Sequence, residues 1–349
     1  MNIRRLSVAL TAPLLILTIV GGTATAPRSA AHAVQDAKPT IHVGYFPNIT
    51  HAQALLGFSE HAFTRYLPNV NVTATTFNAG PDEMNALFAG AIDIGYIGAG
   101  PAINGFVRSH GAVVIVAGAA SGGSVLVARA GTNIKSVKDL AGKTVSVPQM
   151  GNTQDILLRQ LLNENGLKPA DHGGSVKVVA VQNADTLALF QKGDLDAALV
   201  PEPYGTRLIA SVGAGIVLDW KQIYGGNVPV TVVVASAAFA KAHPDLLVRF
   251  LRVHRQLTNQ LQATHYHKDS LGIEALLNAQ IKTLTGKPLT SQILEKSLTK
   301  VTFSTSLDQA ALSQFAGFSA TAGYLKRGVN LAGLVDTWPL AHLNDQSIH

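Results

Sequence analysis

Residues 86–93 read Ala-Leu-Phe-Ala-Gly-Ala-Ile-Asp, and residues 188–196 repeat this pattern as Ala-Leu-Phe-Gln-Lys-Gly-Asp-Leu-Asp. In each copy a stretch with helical periodicity ends at a glycine, Gly90 or Gly193, and an apolar run typical of a short strand follows. Glycine readily adopts the left-handed conformation that ends many helices. A helix–glycine–strand unit that occurs twice in well-separated places predicts two similar α/β lobes.

Strand and helix patterns alternate on both sides of this repeat. Strand character is found at residues 41–46, 69–77, 92–97, 113–117, 144–148, 176–181, 195–200 and 216–218. This alternation is typical of α/β proteins with mainly parallel sheets that are covered by helices on both faces. Two further β-rich runs, 124–130 and 228–235, are interpreted as crossings between the lobes, so we expect two hinge segments beside a cleft. The remainder to about residue 328 is predicted to be helical.

The N-terminus has the features of a secretory signal. Arg4 and Arg5 precede an apolar run over residues 6–20, and small residues follow it, an order typical of a cleaved signal peptide. Cleavage after Ala33 is favoured over cleavage after Ala26, which would leave a proline at the new N-terminus. The paired arginines leave twin-arginine export open as an alternative route. We therefore expect an exported protein of the periplasm or cell envelope.

These patterns predict four parts of the chain. They are a signal peptide at 1–33, a first lobe at 40–125 plus 232–330, a second lobe at 126–231, and a C-terminal tail at 331–349.

Composition excludes several classes of function. The net charge of +6 includes three arginines of the predicted leader, which contains no Asp or Glu, so the rest is only weakly basic. A nucleic-acid-binding protein needs basic residues clustered on one face, and we expect no nucleic-acid partner. The chain contains no cysteine, which excludes disulfides, thiolate metal sites, a cysteine nucleophile and a lipid anchor attached through cysteine.

Five turns between predicted strands and helices are built from small or polar residues. They cover residues 47–51, 78–81, 98–101, 149–154 and 200–204. Ligands of α/β sheets bind beyond the carboxyl ends of the strands, where free N–H groups at helix starts favour anions. Any one of these turns, taken alone, is better interpreted as an ordinary connection. As a set in both lobes, they predict a site for a small oxyanion or an anionic head group.

Four segments resemble a known family. Residues 43–55, 90–101, 140–148 with 151–153, and 193–204 are similar, in this order, to solute-binding proteins of the aliphatic sulfonate/nitrate/taurine family of ABC importers. The resemblance implies a two-lobed periplasmic-binding-protein fold of type II. It implies a monomeric receptor, not an enzyme, that delivers a small anionic or zwitterionic compound to a membrane permease and its ATPase. An aliphatic sulfonate is the leading ligand, with nitrate, bicarbonate and taurine as alternatives, and no cofactor is implied.

The resemblance also implies ligand contacts at particular positions. They are Asn48, Thr50, His51 and Gln53 in the first loop, Gly80, the backbone of Gly98, Ala99 and Gly100, Ser121 or Gly122 near the hinge, Asn152 and Thr153 in the second lobe, and Glu202 and Tyr204 on the opposite wall. A carboxylate repels a simple anion, so Glu202 fits a ligand that also carries an amine. Alternatively, Glu202 only shapes its loop or starts its helix.

Two other functions remain open from the sequence. An enzyme that makes the thiamine pyrimidine, or a protein that binds its precursor, has the same fold, but that enzyme has a cysteine-rich segment which this chain lacks. A sensory domain would need a membrane-spanning segment after the lobes, and the C-terminal residues contain no such run. The histidines His254, His265 and His267 have no recognisable metal-ligand spacing, so no metal is expected.

Overall fold

The computed structural model describes residues 38–266 and 270–348, and the side chains of residues 264–271 are not described. The predicted signal peptide at 1–33 lies outside the described residues. The strands are β1 (Thr40–Tyr45), β2 (Asn71–Thr76), β3 (Ile94–Ile97), β4 (Val113–Gly122), β5 (Ser124–Ala128), β6 (Thr144–Val147), β7 (Lys177–Ala180), β8 (Ala197–Pro201), β9 (Gly215–Leu218), β10 (Pro229–Ser236) and β11 (Val301–Phe303).

Helices connect these strands and cover the sheets. They are α1 (Ala52–Ser59), α2 (Ala62–Tyr66), α3 (Gly80–Phe88), α4 (Ala99–Arg108), α5 (Thr153–Glu164), α6 (Thr186–Lys192), α7 (Tyr204–Val212), α8 (Ala237–Ala242), α9 (Pro244–Tyr266), α10 (Ser270–Thr285), α11 (Ser291–Leu298), α12 (Gln309–Thr321) and α13 (Trp338–Ala341).

The strands form two sheets, which confirms the predicted α/β architecture. The first sheet has the order β11-β4-β10-β3-β1-β2, and the second has the order β7-β6-β8-β5-β9. Both are mixed rather than mainly parallel: β1–β2, β1–β3, β6–β7 and β6–β8 are parallel pairs, and the other pairs are antiparallel. The physical reason is the crossing of the chain. Strand β10 returns from the other sheet and begins at the edge where β1 and β3 end, so it must be antiparallel to them.

The two runs predicted as crossings each lie within one sheet. Strand β5 pairs only with β8 and β9 among the described strands, and β10 pairs with β3 and β4. The chain passes between the sheets at Gly123, directly after β4, and again over residues 219–228. Gly123 has a φ of +66°, a conformation that favours glycine.

The repeated sequence unit corresponds to a repeated structural unit. Strand order β2-β1-β3-β10-β4 in the first sheet matches β7-β6-β8-β5-β9 in the second. Gly90 and Gly193 both have positive φ, at +70° and +82°, as the turn requires. The aspartate that ends each copy has the same role: Asp93 accepts a hydrogen bond from the backbone N–H of His42 at 2.8 Å, and Asp196 accepts one from Thr144 at 2.9 Å.

Two elements differ from the sequence predictions. Strand β4 continues to Gly122 instead of ending near residue 117, because β10 and β11 pair with this part of it. Strand β11 lies in a segment predicted to be helical, and its register pairs Val301 with Gly122 at the edge of the first sheet. Its residues Val-Thr-Phe favour β structure, but three residues are too short a run to stand out between helical segments.

Helix α12 packs against helices that belong to both sheets. It contacts α4 and α5, and the Ser319 hydroxyl bonds the Asn104 side chain on α4 at 2.5 Å. Tyr324, which follows α12, donates a hydrogen bond to Asp155 on α5. The C-terminal residues also pack on the molecule, since Arg252 of α9 donates to the carbonyl oxygens of Leu343, Asp345 and Ile348.

Candidate functional site

A polar cavity lies where the loops of the two sheets meet. It has about 310 Å³ of space, including its open mouth. Seven of the residues implied by the resemblance line it, namely Asn48, Thr50, His51, Gly80, Gly98, Asn152 and Thr153. The remaining lining residues are Phe46, Asn78, Ala79, Pro101, Pro148, Gln154, Asn183, Pro201 and Val230. The lining contains no Lys, Arg, Asp or Glu, so the chemistry of the cavity depends on neutral groups.

Three helices begin at this cavity. Helix α3 starts at Gly80, α4 starts after Gly98, and α5 starts after Asn152. No side chain caps α3 or α4. The first N–H groups of a helix have no partner within it and lie at the positive end of its dipole. Their convergence favours an anion without any basic side chain.

Gly98 allows the two sides of the cavity to approach each other closely. A Cβ atom at this position would lie 2.1 Å from the Thr153 hydroxyl oxygen. Any larger residue would therefore push α4 and α5 apart.

The first loop supplies hydrogen-bond donors. The side-chain Oδ1 of Asn48 accepts bonds from the Thr50 backbone N–H at 3.1 Å and from the Thr50 hydroxyl at 2.7 Å, which leaves the Asn48 amide N–H groups as donors. The Nδ1 atom of His51 accepts a bond from the Phe46 backbone N–H at 3.2 Å, so the ring proton lies on Nε2. Burial lowers the pKa of His51 to about 3, and the ring is neutral at physiological pH. His51 thus acts as a neutral N–H donor, not as a cation.

The turn before α5 forms the other wall. Asn152 caps the helix by accepting a bond from the Asp155 backbone N–H at 2.9 Å, and its amide group donates to Gln154 at 3.0 Å. Asp155 stabilises this turn, because its carboxylate accepts hydrogen bonds from the Gly151 N–H at 2.8 Å and from the Tyr324 hydroxyl.

Thr153 has an unsatisfied side chain, as does Asn183 in the same lining, whose amide oxygen also lacks a partner among the described residues. Thr153 is 3% exposed, and its hydroxyl oxygen has no hydrogen-bond partner in the part of the chain that the structure describes. An unsatisfied buried hydroxyl costs about 1–3 kcal/mol. A ligand atom in the cavity would remove this cost.

Glu202 lies behind the cavity wall. It is fully buried and bonds the Thr206 backbone N–H at 3.0 Å, the Ser297 hydroxyl at 3.2 Å and the Lys300 ammonium at 2.7 Å. All these partners are within the protein, so the geometry supports the structural alternative for this residue. Its backbone carbonyl accepts a bond from the Ile49 N–H at 3.0 Å, which ties the loop after β8 to the first loop.

Tyr204 and Gln53 also support the walls instead of lining the cavity. The Tyr204 hydroxyl donates to the Pro47 carbonyl oxygen at 3.2 Å, and burial raises the pKa of Tyr204 to about 12. Gln53 is fully buried and donates to the Ala119 carbonyl oxygen at 2.8 Å.

Four further positions implied by the resemblance lie away from the polar cavity. The backbone of Ala99 and Gly100 continues into α4, where Gly100 faces Phe315 and Ile156. Ser121 lines a separate cavity of about 760 Å³ that also contains Thr231. Gly122 lies against Trp220.

Two asparagines of the cavity were not among the predicted site residues. Asn78 donates to the Pro148 carbonyl oxygen at 3.0 Å and accepts a bond from the Asn183 backbone N–H at 3.1 Å. Asn78 lies between β2 and α3, and Asn183 lies in the equivalent place between β7 and α6. Asn78 belongs to the predicted turn 78–81, whereas Asn183 lies in none of the five predicted turns.

The remaining histidines that the structure describes lie outside the polar cavity. His254 is buried and lies within hydrogen-bonding distance of the Gly118 carbonyl oxygen and the Tyr96 hydroxyl. The side chain of His265 and all of His267 lie outside the described part of the structure. Over residues 38–266 and 270–348, no group of three or more His, Asp or Glu is arranged to hold a metal ion. In the same residues, no helix has the length and apolarity needed to cross a membrane.

Comparison with known proteins identifies relatives. The NMT1-like family matches residues 35–273. The putative aliphatic sulfonates-binding protein of Escherichia coli (strain K12) is 27% identical over 192 residues, which cover 54% of this chain and 57% of that protein. The taurine-binding periplasmic protein of the same strain is 29% identical over 178 residues, which cover 50% of this chain and 53% of that protein. The match thus spans little more than half the length of these relatives.

A solved structure extends the comparison to the fold. The alkanesulfonate-binding protein SsuA from Xanthomonas axonopodis pv. citri, bound to MOPS, superposes with a TM-score of 0.71 at 19% identity. The alignment covers 85% of this chain and 98% of that protein. The shared architecture confirms the predicted two-lobed periplasmic-binding-protein fold.

Proposed function

This chain belongs to the NMT1-like family, and from that premise we propose that it is the solute-binding receptor of an ABC-type importer. It captures a small anionic compound, an aliphatic sulfonate in the first place, in the polar cavity. It then delivers this compound to a membrane permease with its ATPase. We further propose that it is exported with a cleaved signal peptide, has no lipid anchor attached through cysteine, and acts as a monomer.

The convergence of three helix starts with neutral donors carries this proposal. A sulfonate presents three oxygens that accept hydrogen bonds from several directions. The N-termini of α3, α4 and α5, the Nε2–H of His51 and the hydroxyl of Thr153 surround one small space. Such donors stabilise an anion without a basic side chain as its counter-charge.

The same lining distinguishes among anionic ligands. Taurine carries an ammonium group, which needs an acceptor, and the one acidic residue considered for this role, Glu202, is bonded to Lys300. We therefore propose that a sulfonate without an amine binds more tightly than taurine. The receptor function is also favoured over the enzymatic alternative, because the matched relatives are named as binding proteins.

Binding can be tested on the purified chain with ethanesulfonate, taurine, nitrate, bicarbonate and thiamine precursors. A ligand that binds only the folded state raises the melting temperature. We expect ethanesulfonate to raise it most. If none of these compounds raises it, the proposal is overturned.

The variant Thr153→Val tests whether the polar cavity is the binding site. Loss of a hydroxyl that bonds a charged ligand should weaken binding by about 1–3 kcal/mol, or roughly 5- to 160-fold, with no loss of stability. Thr231→Val is a matched control, because its hydroxyl is also buried and unsatisfied but lies in the other cavity. Calorimetric titration that finds equal affinity in wild type and Thr153→Val would place the ligand elsewhere.

A further inference from the structure

The turn at the start of α5 is bonded to a residue from a distant part of the chain. Tyr324 follows α12, and its hydroxyl donates a hydrogen bond to the carboxylate of Asp155 in the first turn of α5. Asp155 is fully buried, and the same carboxylate oxygen accepts the Gly151 N–H at 2.8 Å. Asp155 therefore joins Tyr324 to the turn that leads into Asn152 and Thr153 of the polar cavity.

The ring of Tyr324 also packs against this turn. Gly151 has a φ of +76°, and a Cβ atom at its position would lie 3.3 Å from the Tyr324 ring. The Cζ atom of Arg159 lies 5.7 Å from the centre of this ring, and its Nε donates to the other Asp155 oxygen at 2.8 Å. Burial raises the pKa of Tyr324, and the neighbouring Asp155 carboxylate raises it further, so the hydroxyl keeps its proton and remains a donor.

The segment that carries Tyr324 contacts both α4 and α5, two of the helices that start at the cavity. Helix α12 packs on both of them. Phe315 of α12 and Ile156 of α5 meet at Gly100 of α4, where a Cβ atom would lie 2.8 Å and 2.6 Å from their side chains. The Tyr324 carbonyl oxygen accepts a hydrogen bond from Arg108 at the end of α4 at 3.4 Å. Tyr324 thus bonds α4 through its backbone and α5 through its side chain.

A shift of this turn would alter the cavity. Thr153 begins α5, and its hydroxyl oxygen would lie only 2.1 Å from a Cβ atom at Gly98. Without the bond from Tyr324, one buried oxygen of Asp155 would keep the Gly151 N–H as its one donor among the described residues. The turn would then be less constrained, and a displacement of about 1 Å is enough to misplace binding groups relative to a ligand.

We propose that Tyr324 is a positioning residue of the polar cavity, which acts through Asp155 to fix the turn before α5 and the N–H and hydroxyl donors that α5 presents to an anion. Tyr324 does not itself line the cavity. This inference rests on the proposed function, since the polar cavity must hold the anion.

Calorimetric titration of Tyr324→Phe with ethanesulfonate tests the positioning role. The variant keeps the ring and loses only the hydroxyl, so we expect it to fold and to bind ethanesulfonate about three- to tenfold more weakly than wild type. Tyr224→Phe is the matched control, because the Tyr224 hydroxyl donates to Glu164 at 3.0 Å, at the opposite end of the same helix. Each variant loses a tyrosine–carboxylate hydrogen bond of α5, but only Tyr324→Phe should lose affinity.

A double-mutant cycle with Asp155→Ala tests the route of the effect. Arg159 keeps its partner Asp171 at 2.9 Å in this variant, so its charge stays compensated. Residues that act through one another are not additive. Tyr324→Phe should therefore leave the ethanesulfonate affinity of Asp155→Ala unchanged. A further loss as large as the loss in wild type would overturn the route through Asp155.

The outcomes separate this inference from the proposed function. If wild type and Tyr324→Phe bind ethanesulfonate equally, or if Tyr224→Phe loses as much affinity, the positioning role is overturned and the receptor function stands. If wild type binds none of the sulfonates, the proposed function is overturned and the positioning role with it. A loss confined to Tyr324→Phe that disappears in the Asp155→Ala background supports the inference.

Discussion

The loops after β3 and β8 occupy equivalent places in the two copies of the repeated unit, yet they make different contacts. The loop after β3 leaves the start of α4 uncapped and facing the polar cavity. The loop after β8 turns Glu202 into the protein, where Thr206, Ser297 and Lys300 satisfy it. The comparison teaches that a repeated backbone does not repeat the site. The residue that follows the strand, Gly98 or Glu202, decides whether its loop borders the cavity or bonds a neighbouring helix.

The two copies agree in one side chain and differ in another. Asp93 and Asp196 make the same bond to the start of the neighbouring parallel strand. Glu83 of the first copy corresponds to Asp185 of the second, three residues before each Ala-Leu-Phe. Glu83 is fully buried and neither of its carboxyl oxygens has a partner in the described structure, whereas Asp185 is exposed. Three sets of substitutions test these contrasts between the two copies.

The largest effect is expected for Glu202→Ala. Removal of one partner from a buried ion pair leaves the other uncompensated and costs about 3–5 kcal/mol. The free energy of unfolding from urea denaturation should fall by this amount. Glu202→Gln combined with Lys300→Met should restore part of the loss. If the single variant is as stable as wild type but no longer binds a sulfonate, Glu202 serves the ligand and the contrast between the two loops fails.

A smaller effect is expected for Glu83→Gln, which should increase the free energy of unfolding instead of lowering it. Burial raises the pKa of Glu83 well above its ordinary value, because the charged form is poorly solvated. An acid whose pKa is raised by folding makes the protein lose stability as pH rises from the ordinary pKa to the raised one. The variant has no such group, so it should match wild type at pH 4 and exceed it by about 2 kcal/mol at pH 6.

Asp185→Asn is the matched control for Glu83→Gln. Because Asp185 is exposed, this variant should follow the pH profile of wild type. Parallel profiles for Glu83→Gln and wild type between pH 4 and pH 6 would show that Glu83 ionises freely.

The smallest effects are expected for Asp93→Ala and Asp196→Ala. Each variant loses a hydrogen bond from a backbone N–H to a carboxylate and should lose about 1–2 kcal/mol of unfolding free energy. The ion pair of Asp196 with Arg129 is partly exposed and adds little. We therefore expect the two losses to agree within about 1 kcal/mol when measured by urea denaturation. A much larger difference would mean that the two aspartates do not contribute equally to stability in the two copies.

Local sequence signals were sufficient for most of the fold. Glycines, alternating apolar residues and the repeat predicted two α/β units, and the turns at 47–51, 78–81, 98–101 and 149–154 each contribute to the cavity. These signals operate within a few residues of the chain, so they are readable without the structure. The assignment of those residues to ligand contact stays a prediction.

Features that depend on distant partners were not predictable. The orientation of Glu202 is set by Lys300, which lies 98 residues further on. Strand β11 pairs with the edge of β4, and its three residues favour β structure but form too short a run to predict a strand from the sequence. The mixed pairing also depends on distant partners, since β10 is placed by the return of the chain from the second sheet.

The position of β10 also has a consequence for the order in which the chain can fold during synthesis. Strand β10 lies between β3 and β4, so these two strands have no common neighbour until residue 236 has left the ribosome. The second sheet spans residues 124–218 without interruption and can assemble earlier. The first sheet, whose strands β1 to β4 are synthesised first, is thus completed last. Until then, β3 and β4 expose unpaired edges, which chaperones can bind and which can pair with other chains and start aggregation.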